Sequence, residues 1–140
     1  MIIDANVILR AFFPDESGQA QAHALIHDYV MGAVPISVPT LLPYEVCNAV
    51  LQAVRRGRIA EEQAREILQA FEDLSVPVLP IAPMRVLETA RRFDCSGYDA
   101  AYLALAEEVG TTLVTGDRRL YGLVSPHLSS VTALDDYPGN

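Results

Sequence analysis

The chain has 140 residues, of which 51% are hydrophobic, a mean hydropathy of +0.21 and a net charge of −8. It is therefore expected to form one domain that buries a core without disulfide or metal staples. No apolar run approaches the ~18–20 residues of a membrane span. No basic region precedes an apolar core as in a secretory signal, so a cytoplasmic protein without a membrane association is expected. The acidic balance excludes a grip on nucleic acid by bulk positive charge, but not a protein that binds cations first.

All ten basic residues are Arg. Cys47 and Cys95 match no disulfide or zinc spacing and read as reduced thiols in or near the core.

In chain order, Met1-Ile2-Ile3 reads as a short buried strand that runs into Asp4. In open α/β sheets ligands sit outside the carboxyl ends of the parallel strands. The bland alternative is an Asp that only caps the following turn or helix. Residues 7–13 are apolar and stop at Pro14-Asp15, which fits a short helix or turn and then a loop. Ala22, Leu25, Ile26, Tyr29 and Val30 recur at helical spacing, and Gly32 ends that helix. Residues 36–38 form a second short strand.

Thr40 is an expected N-cap with Pro43 in the first turn of a helix that reaches Arg55-Arg56-Gly57 and carries Glu45 near its start. A further helix presents Ala64, Ile67, Leu68 and Phe71 on one face. Residues 76–81 read as a strand holding Pro77 and Pro80, and hence as a sheet edge, because proline cannot donate to a ladder. Val86, Leu87, Ala90 and Phe93 mark another amphipathic helix.

Ser96 caps the next helix in a capping-box-like arrangement with Asp99, and Tyr98, Ala101, Tyr102, Leu105 and Val109 are its expected buried stripe. Gly110 closes it. Residues 112–115 are a strand ending in Gly116-Asp117, and a short helical turn with Leu120 and Tyr121 follows. Residues 130–134 are the last strand, and 135–140 are expected to be a loose tail. Strands alternating with helices mean an α/β fold with a mainly parallel sheet.

Asp4, Glu45, Asp99 and Asp117 stand at strand or helix ends. Individually each has a plain structural reading: a cap, a solvated helix residue, a dipole-favoured helix start or a turn residue. Converging in one cleft, four carboxylates repel and must take up protons or share a cation. Hard divalent ions with oxygen ligands, Mg²⁺ or Mn²⁺, meet that need. Together the four acids would account for half of the net −8.

The residues that carry a family likeness are Ile3-Asp4-Ala5-Asn6-Val7, Pro43-Tyr44-Glu45-Val46, Ser96-Gly97-Tyr98-Asp99-Ala100-Ala101-Tyr102, and Leu113-Val114-Thr115-Gly116-Asp117. In that order the chain resembles the PIN-domain family, in particular the VapC-type toxins of toxin–antitoxin pairs. The resemblance implies a three-layer α/β/α domain over residues 1–140, with a five-stranded mainly parallel sheet of order 3-2-1-4-5.

It further implies a metal-dependent endoribonuclease. Asp4, Glu45, Asp99 and Asp117 would be catalytic and would hold one or two Mg²⁺ or Mn²⁺ ions that activate water for in-line attack at phosphorus. Asn6 and Thr115 would support them. It also implies an RNA substrate, a homodimer, and a separately encoded antitoxin whose basic side chain enters the acidic cleft.

Arg118 and Arg119 adjoin Asp117 and are candidates for substrate phosphates. His23, His27 and His127 form no plausible ligand set. A phosphoaspartyl enzyme or receiver would also end its first strand in Asp, but usually relies on a lysine, which is absent here. The other competing reading is a catalytically inert PIN-like binding or assembly module.

Overall fold

The computed structural model describes residues 1–138. Its strands are very short: β1 (Ile2–Ile3), β2 (Val38–Pro39), β3 (Val78–Leu79), β4 (Leu113–Thr115) and β5 (Val131–Ala133). All pairings are parallel, in a three-stranded ladder β1-β4-β5 and a two-stranded ladder β2-β3. A single parallel bridge, Ile2 to Ser37, joins them, and the Ser37 amide donates to the Met1 carbonyl at 3.0 Å. Nothing in these pairings conflicts with the order that the resemblance implies, and continuous pairing is confined to the two ladders. β3, flanked by Pro77 and Pro80, pairs with β2 alone, in keeping with an edge.

Helices fill the connections: α1 (Ala5–Phe12), α2 (Gln19–Val30), α3 (Leu42–Arg55), α4 (Glu61–Asp73), α5 (Pro83–Phe93), α6 (Gly97–Val109) and α7 (Arg118–Val124). Ile2, Ile3, Val38 and Leu113 are wholly buried beneath them. Burying such a side chain stabilises the fold by about 1.5–3 kcal/mol, so even two-residue strands are pinned. None of the helices among the described residues is long and apolar enough to cross a membrane.

Four local expectations change. Tyr98 and Val109 do not belong to the buried stripe of α6; they are 71% and 49% exposed, whereas every residue from Ala100 to Ala106 is buried. The helix packs on α5, β1, β2 and β4, so its middle is enclosed all round and only its ends emerge. Thr40 is not the cap of α3, which starts after Leu41 without a side-chain cap; Pro43 in its first turn has no donor to satisfy. Cys47 is exposed, whereas Cys95 is partly buried and packs against the core as expected.

The segment expected to be a loose tail is tied down at 135–137, directly after Leu134. Leu134 is fully buried, residues Leu134–Asp136 form a 3₁₀ turn, and the Tyr137 hydroxyl donates to Asp28 at 2.7 Å. Residues 139 and 140 of that segment lie outside the described residues.

Candidate active site

The site begins where β1 stops. Asp4 follows Ile3 at the carboxyl end of the strand and caps α1, its Oδ1 accepting the Val7 amide at 3.2 Å. Being both strand end and helix cap fixes the carboxylate at a depth where it is only 4% exposed. The neighbouring parallel strand β4 ends beside it. The Thr115 hydroxyl donates to Asp4 Oδ2, and the Gly116 amide donates to both carboxylate oxygens at 3.3 and 3.2 Å. Burial pushes the Asp4 carboxyl above its ordinary range, and the bonds from Thr115, Gly116, Val7 and Asn6 oppose that shift.

Thr115 also links Asp4 to the next acid. Its Oγ1 accepts the Asp117 amide at 3.0 Å while its proton goes to Asp4. Asp117 in turn caps α7, accepting the amides of Arg119 and Leu120 at 2.8 and 3.0 Å. Asp4 and Asp117 therefore share one logic, a carboxylate that leaves a parallel strand and starts a helix.

Glu45 comes from the first turn of α3 and receives the hydroxyl proton of Tyr102, from the middle of α6. Partial burial raises the Glu45 carboxyl, the Tyr102 bond lowers it, and the charges of Asp4 and Asp99 raise it further, which ties three of the acids to one region. Asp99 needs no side chain for its own helix, because Ser96 Oγ caps the Asp99 backbone amide at 3.0 Å. Its carboxylate instead accepts from Arg119 Nη2 at 2.7 Å, and the same nitrogen lies 3.6 Å from Asp117.

Asp4, Asp117 and Asp99 are thus linked through Thr115 and Arg119, and Glu45 lies in the same region. Among the described residues no three His, Cys, Asp or Glu side chains converge closely enough to hold a metal ion as they stand. The physical reason is visible in the partners. Asp4 is engaged by Thr115 and Gly116, Glu45 by Tyr102, and Asp99 by Arg119. As a donor set, four carboxylates fit a hard dication, and the charge such an ion would supply is met here in part by a guanidinium.

Of the two arginines expected at substrate phosphates, Arg119 is this bridging residue and Arg118 pairs with Asp135 at 2.8 Å; both side chains remain largely exposed. Asn6 is exposed at the rim beside Asp4.

Sequence reasoning missed Tyr102, Gly116 and Arg10. Tyr102 had a signal, since three residues beyond Asp99 on a helix share its face. Gly116 had a weaker one. A Cβ there would sit 2.8 Å from the Asn6 Cβ, a close approach that only glycine permits. Arg10 had none; its Nη2 donates to the Gly116 carbonyl at 2.6 Å and its Nη1 to Asp135 at 3.0 Å, which fastens the β4–α7 turn to α1.

Comparison with known proteins bears on the family of the chain. A PIN-domain family model matches residues 1–124. The chain is 32% identical to the VapC ribonuclease Mb0985 of Mycobacterium bovis over 122 residues, 86% of this chain and 87% of that one. It is 31% identical to ribonuclease VapC3 of Pyrobaculum aerophilum over 124 residues, 86% of this chain and 91% of that one.

Among solved structures, PAE2754 of Pyrobaculum aerophilum superposes with a TM-score of 0.74 at 23% identity, covering 96% of this chain and 83% of that one. A toxin–antitoxin complex from Klebsiella pneumoniae superposes with a TM-score of 0.61 at 17% identity, covering 95% and 96%. These two likenesses concern the fold. With acids at the ends of parallel strands, and a family match that spans all four of them, the chain belongs to the PIN-domain family.

Proposed function

We propose that this chain is a metal-dependent endoribonuclease and the toxin of a toxin–antitoxin pair. The observation that carries the reading is the set Asp4, Asp117 and Asp99, joined through Thr115 and Arg119 at the carboxyl end of β1 and β4, with Glu45 near enough to feel the charges of Asp4 and Asp99. Relatives named VapC ribonucleases, about 30% identical over most of the chain, support it.

Asp4, Glu45, Asp99 and Asp117 would hold one or two Mg²⁺ or Mn²⁺ ions. Such ions, when bound, supply Lewis-acid stabilisation of phosphoryl oxygens and acidify water. The chain's own residues do the positioning. Thr115 and the Gly116 amide fix the plane of the Asp4 carboxylate, Tyr102 aims Glu45, and the α7 amides aim Asp117. Such supports around metal-binding carboxylates orient the ligands and tune their basicity. Arg119, which pairs with Asp99 and lies near Asp117, would be displaced if a cation took its place and would then be available to a substrate phosphate.

The partners proposed are RNA, a second copy of the chain, and a VapB-like antitoxin that places a basic side chain in the cleft. The deciding experiment is cleavage of single-stranded RNA by purified protein with Mg²⁺, with Mn²⁺ and with chelator. Cleavage that needs a divalent ion and is lost in Asp4→Asn is expected. Cleavage that persists in chelator, or its absence with either ion, would overturn the reading.

A further inference from the structure

Tyr44 and Tyr98 are the exposed aromatic side chains among the described residues, at 78% and 71%. Leaving two large rings in water is unfavourable, and both occur beside an acid of the candidate site, Tyr44 next to Glu45 and Tyr98 next to Asp99. They come from different helices, α3 and α6, yet line one open hollow of about 510 Å³ together with Leu41, Glu45 and Asn48. That volume lies within the ~300–1,000 Å³ of typical ligand pockets.

Charge narrows the occupant. The chain carries −8 and no lysine, and in the metal-free protein the two arginines beside the acids are committed to Asp135, Asp99 and Asp117. An RNA-binding surface so poor in free positive charge has to draw affinity from contacts that salt does not screen. Base stacking on aromatic rings is the contact of that kind.

Resting on the ribonuclease reading, we propose that Tyr44 and Tyr98 form a base-stacking subsite for an unpaired nucleobase of single-stranded RNA next to the bond being cut. Asn48, with an amide that both donates and accepts, lines the same hollow and would be available to a base edge. The subsite would also favour unpaired RNA, since a base inside a duplex cannot reach the rings.

The test uses the full-length protein in chelator and a short single-stranded RNA with 2-aminopurine at successive positions, read by fluorescence anisotropy and by 2-aminopurine emission. Wild type is expected to bind and to quench the probe at one or two adjacent positions. Tyr44→Ala and Tyr98→Ala should each weaken binding roughly ten-fold and restore emission, while Tyr44→Phe and Tyr98→Phe stay near wild type. The ratio of wild-type to alanine affinity should not change with salt, unlike that of an arginine variant.

Alanine variants that bind and quench like wild type overturn the subsite and leave the ribonuclease reading standing. So do variants that turn monomeric with unchanged RNA affinity, which assign the face to a second copy of the chain. A wild type that neither binds the probe in chelator nor cleaves it with Mg²⁺ overturns both.

Discussion

Arg119 reaches back from the first position after Arg118 in α7 to place its Nη2 2.7 Å from the carboxylate of Asp99. The same nitrogen is 3.6 Å from Asp117, two residues before it in sequence. A tethered cation between two proposed metal ligands competes with any free cation for the same oxygens. Arg119→Gln is therefore expected to bind Mn²⁺ more tightly than wild type, measured by titration calorimetry or by the loss of free-ion paramagnetic signal. Without metal the variant should unfold at a lower temperature, since two carboxylates lose their counter-charge. Mn²⁺ affinity that is unchanged or weaker would show that the guanidinium does not compete with the ion.

Thr115 offers a test of a positioning role. Its hydroxyl donates to the buried Asp4 and accepts the Asp117 amide, so Thr115→Val removes two hydrogen bonds with little change of shape. Leaving a buried carboxylate short of a donor costs about 1–3 kcal/mol, read as a lower urea midpoint. Thr115→Ser keeps the hydroxyl and should recover most of both stability and RNA cleavage. If the valine variant matched wild type in both, the relay would carry no weight.

Much of this arrangement was legible in the residues, for identifiable reasons. Asp4 and Asp117 stand out because each directly follows a buried apolar run, and chain polarity alone brings the ends of parallel strands to one side. Glu45 and Asp99 carry no such local mark. Their approach depends on how α3 and α6 pack; a place near a helix start marked them less sharply, and the likeness to a family supplied the rest. The burial of α6 was misjudged for a related reason. A helical stripe assumes one solvent face, whereas the middle of α6 has none. The tie at 135–137 was hidden because its partners, Arg10, Arg118 and Asp28, are distant in sequence.

The acids also set a pH dependence. Asp4 and Glu45 are both held above the usual carboxylate range, first of all by burial. A native state that holds protons more tightly than the unfolded chain gains stability as pH falls. That gain is complete below the ordinary range, near pH ~4, and is lost as pH rises through the raised native values. Asp15 and Asp135, lowered by Arg58 and by Arg118, act the other way, but theirs is lost only below the ordinary range.

Metal-free protein should therefore melt at a higher temperature near pH ~5 than near pH ~8, the Met1 amino group, lowered by burial, opposing part of that difference. Asp4→Asn should shrink that difference. Saturating Mg²⁺ should reverse it, because the ion needs deprotonated ligands. A wild type and an Asp4→Asn variant with the same pH profile would contradict the account.

Gly116 is required by space, not by its backbone angles, since its φ is not in the left-handed region. A methyl group there would meet the Asn6 Cβ at 2.8 Å and Arg10 Nε at 3.3 Å. The first of these is anchored to α1 and cannot swing aside. Gly116→Ala is expected to push β4 from α1 at the site, lowering stability by about 1–3 kcal/mol and reducing RNA cleavage more than that loss explains. Gly122, where an added Cβ meets nothing within 4 Å, is the control; its alanine variant should cleave normally.

Asp99→Asn separates a metal ligand from a helix-start residue. The cap of α6 runs from the Asp99 backbone amide to Ser96, so the substitution leaves that hydrogen bond in place. What the helix loses is one favourable charge near its N-terminus, worth about 0.3–1 kcal/mol. The ion pair with Arg119 goes as well, but Arg119 keeps Asp117 within 3.6 Å, and the fold is expected to survive.

If the carboxylate is a ligand, Mn²⁺ affinity should drop and Mg²⁺-dependent RNA cleavage should fall by orders of magnitude, because ion affinity follows ligand charge. Thermal unfolding in chelator, Mn²⁺ titration and RNA cleavage are measured side by side on wild type and variant. A variant that binds Mn²⁺ and cleaves RNA like wild type would reduce Asp99 to a surface partner of Arg119. An Asp99→Glu variant covers the case in which asparagine upsets folding. It keeps the charge but displaces it by one methylene, so it should hold the ion better than it cleaves RNA.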